Sequence, residues 1–246
     1  MINEAHTPRS PTSPVTASAL VSPPIPIESH WDDVYWRLME LRPKFPGGPL
    51  IQIRPDWREQ EPPVGPAAAL FKRHLAGVDS LLDVGAGDRY WETVLRRMHI
   101  NLHYRSVDPD RRHPHEFSDF LKVTETFDAI LMLELLEHLR LDVGLAFLKH
   151  GVKCLNPGGV LVIGTPNPRH AHQVWSADVT HIRPWPAHDL WSICQVVGLK
   201  DVEIYRQMLV TPKRRLVAPM QLALSRLLDL DPAYGLLLFA HKSPES

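Results

Sequence analysis

The chain has 246 residues, 44% of them hydrophobic and 22% charged, with a formal net charge of −1. That length and balance suit one well-buried globular core, and they supply no global basic field for holding nucleic acid. No apolar run approaches the roughly 18–20 residues of a membrane helix, and no basic-then-apolar leader opens the chain, so a cytoplasmic location is expected.

Residues 1–28 are crowded with proline, serine and threonine (T-P-R-S-P-T-S-P at 7–14) and predict a disordered tail, because such a segment cannot bury enough apolar surface to offset its chain entropy. Trp31, Val34, Tyr35, Leu38 and Leu41 recur at helical spacing and predict a helix over 31–41. Prolines and glycines break 43–66 into an irregular connector. Val64-Gly65-Pro66 then opens a helix running to about Leu75.

The run Leu81-Leu82-Asp83-Val84-Gly85-Ala86-Gly87-Asp88 is an apolar strand that ends in a tight, Cβ-free turn, which lets a ligand approach the main chain. A helix over 88–98 and a strand over 102–107 follow. That strand ends in Asp108, an acid suited to the two hydroxyls of a ribose. A dinucleotide site would read G-x-G-x-x-G, but Tyr90 stands at the third glycine position. Asp83 and Asp88 would also repel a pyrophosphate. A cofactor with an amino-acid end and a sulfonium, S-adenosylmethionine, suits the acids and the missing glycine.

Further along, a short helix is expected near 114–118. The buried strand 127–133 leads into E-L-L-E-H-L at 134–139, and a helix covers 142–154 until N-P-G-G stops it. A strand over 159–164, a helix over 186–197, a strand over 200–207 and a last strand over 234–241 complete the pattern. Such alternation predicts a parallel sheet covered on both faces. Between the last two strands, Pro212-Lys213-Arg214-Arg215 precedes Met220, Leu222, Leu224, Leu227 and Leu228: a lid or edge helix, or else a membrane-surface or partner element. Cys154 and Cys194 sit in apolar helical contexts and read as buried thiols of a reducing compartment.

Four stretches together resemble the class I S-adenosylmethionine-dependent methyltransferases, in the broad group that includes ubiquinone-biosynthesis O-methyltransferases and sugar methyltransferases. They are L-L-D-V-G-A-G at 81–87, the strand-end Asp108, F-D-A-I-L-M-L-E-L-L-E-H-L at 127–139, and L-N-P-G-G-V-L-V-I-G-T-P-N at 155–167. The resemblance covers roughly residues 78–207. It implies a Rossmann-like doubly wound sheet, mostly parallel with an antiparallel last strand. N-terminal cap helices would lie over 29–77, the cofactor-binding core over 78–207, a lid or edge insertion over 208–233, and the last strand and tail over 234–246.

Open sheets bind ligands beyond the carboxyl ends of their strands. On that rim we assign Asp83, Gly85 and Gly87 to the methionine end of the cofactor, Asp108 to its ribose, and Glu134 to the sulfonium side. The resemblance implies adenine contacts for Asp119 and Phe120. For a hydroxyl acceptor a histidine base near neutral pH is apt. His181, in D-V-T-H-I-R-P-W on the loop after Thr165-Pro166-Asn167, is the favoured base, with His138 next. His170, His172, Asp178 and His181 are ligand-type residues without C-x-x-C or H-E-x-x-H spacing, so no metal is assigned. The acceptor is expected to be a small molecule, with nucleic acid not expected. Transfer to nitrogen, carbon or a protein side chain, or a non-catalytic cofactor-binding role, are the alternatives.

Overall fold

The computed structural model describes residues 31–170, 174–211, 216–228 and 230–245. The expected tail over 1–28 and the basic run 212–215 fall outside them. Seven strands form one sheet: β1 (Leu50–Ile53), β2 (Ser80–Val84), β3 (His103–Val107), β4 (Phe127–Leu133), β5 (Leu155–Pro166), β6 (Leu199–Leu209) and β7 (Gly235–Lys242). Their order is β1-β6-β7-β5-β4-β2-β3. Every pairing is parallel except those of β7, which runs antiparallel to both β5 and β6. This is the Rossmann-like sheet with an antiparallel last strand that the sequence predicts.

Side chains alternate across β4 and sort the helices. Ile130 and Met132 face one side with Leu82, Val84, Leu161 and Ile163. There they pack against α1 (Trp31–Leu41), α4 (Leu141–Cys154) and α5 (Ala187–Val196) through Leu38, Leu148, Leu190 and Ile193. Ala129, Leu131 and Leu133 face the other side, with α2 (Pro66–His74) and α3 (Tyr90–Arg97). A sheet so covered buries both faces, which is why these strands read as continuous apolar runs. The two N-terminal helices therefore lie on opposite faces of the sheet. Helix α6 (Ala218–Leu227) buries Ala218 against Met208 and Val210, while Met220, Leu224 and Leu227 remain exposed.

Three local expectations are corrected. The connector over 43–66 contains β1, which extends the sheet by pairing with β6 from Leu50↔Arg206 to Ile53↔Leu209. No helix forms at 114–118. Pro114 sits in an extended loop, Phe117 makes a single parallel bridge to Val107, and a 3-10 turn follows at Phe120–Lys122. Finally, N-P-G-G does not separate α4 from β5. The strand starts directly at Leu155, and Gly158 (φ +79) lets it turn within a register shift against β4.

The sheet order reverses beside β2, which has β3 on one side and β4 on the other. That switch point, beyond the carboxyl ends of the parallel strands, is where an open α/β sheet forms a crevice.

Candidate active site

The β2 exit is held by its own main chain. Gly85 N–H donates to the Val107 carbonyl at 2.9 Å, and Gly87 N–H donates to Asp108 Oδ2 at 2.9 Å. Gly85 (φ +77) and Gly87 (φ +53) adopt left-handed backbone that disfavours a side chain. A Cβ on Gly85 would meet Leu135 Cδ1 at 2.8 Å, whereas one on Gly87 would stand in open space. The turn is thus packed against β4's exit on one side and open on the other. Arg89 fastens the next loop: its guanidinium donates to Ser106 Oγ, the Pro114 carbonyl and Glu116. Asp88, one residue before the N-cap of α3, accepts from Tyr90 N–H at 3.1 Å.

Beneath the turn, Asp83 is 2% exposed and accepts from the Tyr104 hydroxyl. Burial pushes its carboxyl up to about 7, opposed by that hydrogen bond. Asp108 is half-buried at the β3 exit, with Oδ1 accepting from Asp110 N–H at 2.8 Å. Asp119 lies further round, half-buried, capping the 3-10 turn through Leu121 N–H and pairing with Lys122. Phe120 is a core residue, 3% exposed and edge-on to Phe147 and His150, so its ring faces the interior.

The β4 exit supplies the second wall. Glu134 takes a left-handed φ of +53, and its N–H donates to the Gly164 carbonyl at 2.9 Å. It keeps contact with solvent at the crevice mouth. Crowding by protein atoms and then the neighbouring Glu137 carboxylate nevertheless push its carboxyl up to about 7, with Arg58 acting in the opposite sense. Glu137 is fully buried. Thr165 Oγ1 donates to its Oε2 at 3.0 Å, while Oε1 has no hydrogen-bond partner among the described residues.

The loop after β5 folds back over this wall. Ile182 and Arg183 N–H both donate to the Glu137 carbonyl, at 2.7 and 3.1 Å, and buried Trp185 donates Nε1–H to the Leu136 carbonyl at 2.8 Å. These bonds bring His181 onto His138, with ring centroids 4.9 Å apart. Asp178 accepts from Thr180 N–H and Oγ1, which shapes the turn, and lies 3.9 Å from His181 Nε2. Thr180 in turn faces His138 Nδ1 with its carbonyl at 3.2 Å and its hydroxyl oxygen at 3.1 Å.

The structure thus gathers Gly85, Gly87, Asp108, Glu134, His138 and His181 at the carboxyl ends of β2–β5, with Asp83 buried just below. Sequence reasoning missed Glu137, although its spacing from Glu134 and its place beside His138 were the available signal. It also missed Arg58, whose guanidinium lies 5.7–6.0 Å from the Trp57, Tyr90 and Trp91 ring centroids. Of the ligand-type set in the late loop, His172 lies outside the described residues, and His170 bridges to Asp231.

A doubly wound sheet with an open glycine turn, a strand-end acid on the next strand and a polar crevice at the switch point defines a class I nucleoside-cofactor fold of the methyltransferase kind. The comparisons agree. The sequence pattern that defines a methyltransferase-domain family matches residues 55–204, more than half of the chain. Among solved structures, an S-adenosylmethionine-dependent methyltransferase from Archaeoglobus fulgidus superposes with TM-score 0.57 at 19% identity, covering 72% of this chain and 93% of that one. A possible histamine N-methyltransferase from Thermotoga maritima gives 0.53 at 13%, covering 88% and 98%. Phosphoethanolamine N-methyltransferase 2 of Haemonchus contortus, in complex with S-adenosyl-L-methionine, gives 0.51 at 15%, covering 71% and 51%. No curated protein matches the chain in sequence. The chain belongs to the methyltransferase-domain family and is an S-adenosylmethionine-dependent methyltransferase. Among the described residues, no helix is long and apolar enough to cross a membrane.

Proposed function

We propose that the enzyme methylates a hydroxyl group of a small molecule, with an imidazole of the His138–His181 pair taking the proton. The observation that carries this reading is the placement of two imidazoles beside Glu134, on the rim that also bears the open glycine turn. The residues fit the cofactor: Gly87 faces open space, Asp108 presents a half-buried carboxylate next to it, and Asp83 lies below. In our assignment Asp83, Gly85 and Gly87 hold the methionine end, Asp108 the ribose and Asp119 the adenine edge. Phe120 supports that edge from the core. Glu134 flanks the sulfonium side.

When bound, the cofactor supplies a methyl group on a positively charged sulfur, a leaving group that needs no acid. The protein's work is then to align the acceptor oxygen, keep water out and remove one proton. We assign that removal to His181, held by the pinned loop, with His138 as the alternate. Segment 208–233, whose α6 leaves Met220, Leu224 and Leu227 uncovered, is the acceptor-side lid in this reading. The paired acids Glu134 and Glu137 favour one second reading, an amine acceptor drawn in as its ammonium form.

Calorimetric titration with S-adenosylmethionine, S-adenosylhomocysteine and NADH tests the cofactor assignment. We expect micromolar binding of the first two and none of NADH, with Asp108→Ala weakening binding at least about 10-fold through loss of charge-assisted hydrogen bonds. Unchanged affinity in Asp108→Ala would remove the ribose assignment. For the acceptor, His181→Ala should lose turnover near neutral pH; full retention would favour the amine reading.

A further inference from the structure

The Arg58 guanidinium is enclosed by rings and has no protein acceptor. It lies 6.0 Å from the Trp57 ring centroid, 5.7 Å from that of Tyr90 and 5.8 Å from that of Trp91. Among the described residues its Nε is buried without a hydrogen-bond partner, and no carboxylate forms an ion pair with it. Ring faces attract a cation but accept none of its in-plane N–H bonds. A guanidinium drawn out of water with that edge unfilled is costly, and an anion is what would fill it.

A second donor faces the same space. Tyr234 directly precedes β7. Asn167 N–H donates to its carbonyl, and its own N–H donates to the Gln207 carbonyl, each at 2.8 Å. These bonds set it beside the β5 exit, and its ring packs on the same apolar cluster as Trp57, Tyr90 and Trp91. Its hydroxyl makes no hydrogen bond among the described residues. Burial raises that hydroxyl above its ordinary value, with Arg58 opposing and Glu134 adding, so the phenol keeps its proton within the field of both. Three segments therefore converge here: the turn that carries Arg58, the β4 exit and the entry to β7. The arginine acting on Asp83, under the glycine turn, is Arg89, whereas the one acting on Glu134 and Tyr234 is Arg58. Arg58 thus serves the β4–β7 side of the crevice and not the β2–β3 side.

We infer that Arg58 and Tyr234 form the anion-recognising part of the acceptor site, so that the acceptor carries a carboxylate or phosphate in addition to the group that is methylated. Arg58 supplies its planar fork of N–H groups and Tyr234 one O–H, and both determine specificity without taking part in the transfer itself. An ionised Glu134 would repel such a group. Its carboxyl, pushed up to about 7, is already neutral in a large share of molecules at that pH, and an arriving anion drives it further to the neutral form. The inference rests on the small-molecule reading of the acceptor but not on which atom receives the methyl group. Anion binding is read without turnover, so its failure is separable from failure of the hydroxyl reading.

The experiment is tryptophan-fluorescence titration of the full chain, saturated with S-adenosylhomocysteine at constant ionic strength. The probes are inorganic phosphate, lactate and the neutral lactamide. Trp57 and Trp91, beside Arg58, report occupancy. The expected result is saturable, millimolar binding of phosphate and lactate and none of lactamide. Arg58→Gln should weaken anion binding about 10- to 100-fold and Tyr234→Phe about 3- to 10-fold, with S-adenosylhomocysteine affinity unchanged in both. Tyr234→Phe removes a single oxygen and serves if Arg58→Gln fails to fold. Absence of saturable anion binding in the unmodified protein, or undiminished binding in the substituted ones, would overturn the inference. So would anion binding that S-adenosylhomocysteine displaces and methylthioadenosine, which lacks the amino-acid end, does not: the pair would then hold the cofactor's own carboxylate.

Discussion

Replacing Asp83 by asparagine should make the enzyme more stable at neutral pH and less able to hold its cofactor. Asp83 is 2% exposed under the glycine turn, with Tyr104 donating to it. Burial raises its carboxyl from the ordinary 3.8 to about 7. A group whose pKa is higher in the folded state binds more protons there than in the unfolded chain, so stability falls as pH rises. The contribution is fully present below about 4 and is lost as pH climbs through about 7. At roughly 1.36 kcal/mol per pH unit, ionised Asp83 costs the fold about 4 kcal/mol. Asparagine has nearly the same shape, accepts the Tyr104 hydrogen bond and does not ionise. Urea unfolding of both proteins from pH 4.5 to 8.5 should show curves that converge at the acid end and separate by up to about 4 kcal/mol at the alkaline end, with the variant above. A difference that does not change with pH, or a native protein that gains on its variant as pH rises, would refute the reasoning. If the acid is kept for the cofactor's ammonium group, the variant should also bind S-adenosylmethionine more weakly at pH 8, a trade of stability for function of the kind active sites show.

Gly85→Ala should cost about 1–2 kcal/mol for forcing a side chain into left-handed backbone, plus the displacement of Leu135 from a 2.8 Å contact; chemical denaturation with a parallel cofactor titration reads both. Trp185→Phe keeps an aromatic ring in the core but strands the Leu136 carbonyl, so a loss of about 1–3 kcal/mol is expected in the same assay. Because Trp185 anchors the loop that carries His181, turnover should fall further than stability alone explains; an unaffected turnover would mean the loop is held by its other hydrogen bonds.

Most of the core was legible because its signals are local. The apolar runs of β2, β4 and β5, the glycines after β2 and the acid after β3 each announce themselves within a few residues, and their order fixes which ends share a rim. Strand β1 was not legible. It has four residues between Pro49 and Arg54, shows no alternation, and exists because β6, far along the chain, offers an edge. The loop over 114–118 failed for a related reason: its conformation is set by Arg89 reaching across to Pro114 and Glu116. In the site, Glu134 and the histidines could be chosen from residue type and position. Glu137 offered only its spacing from Glu134 and its place beside His138; its burial depends on Thr165 and on the returning loop, which no window around E-L-L-E-H contains.

The position of β1 governs how the chain must assemble. It precedes β2 to β7 in the chain, yet among the described residues its one strand partner is β6, and β6 itself pairs with β7 on its other flank. The sheet therefore closes last at the side made from the most distant parts of the chain, and such non-local, partly parallel pairing is slow. Until it closes, the whole outer edge of β6 is open for hydrogen bonding, the kind of edge that recruits other chains. Residues 50–53 cover only Arg206–Leu209 of that edge, and β1, four residues long, then becomes the outer strand; a short edge strand offers another chain little to pair with. A version truncated through Ile53 would retain every residue assigned to the cofactor and still be the more hazardous protein to make.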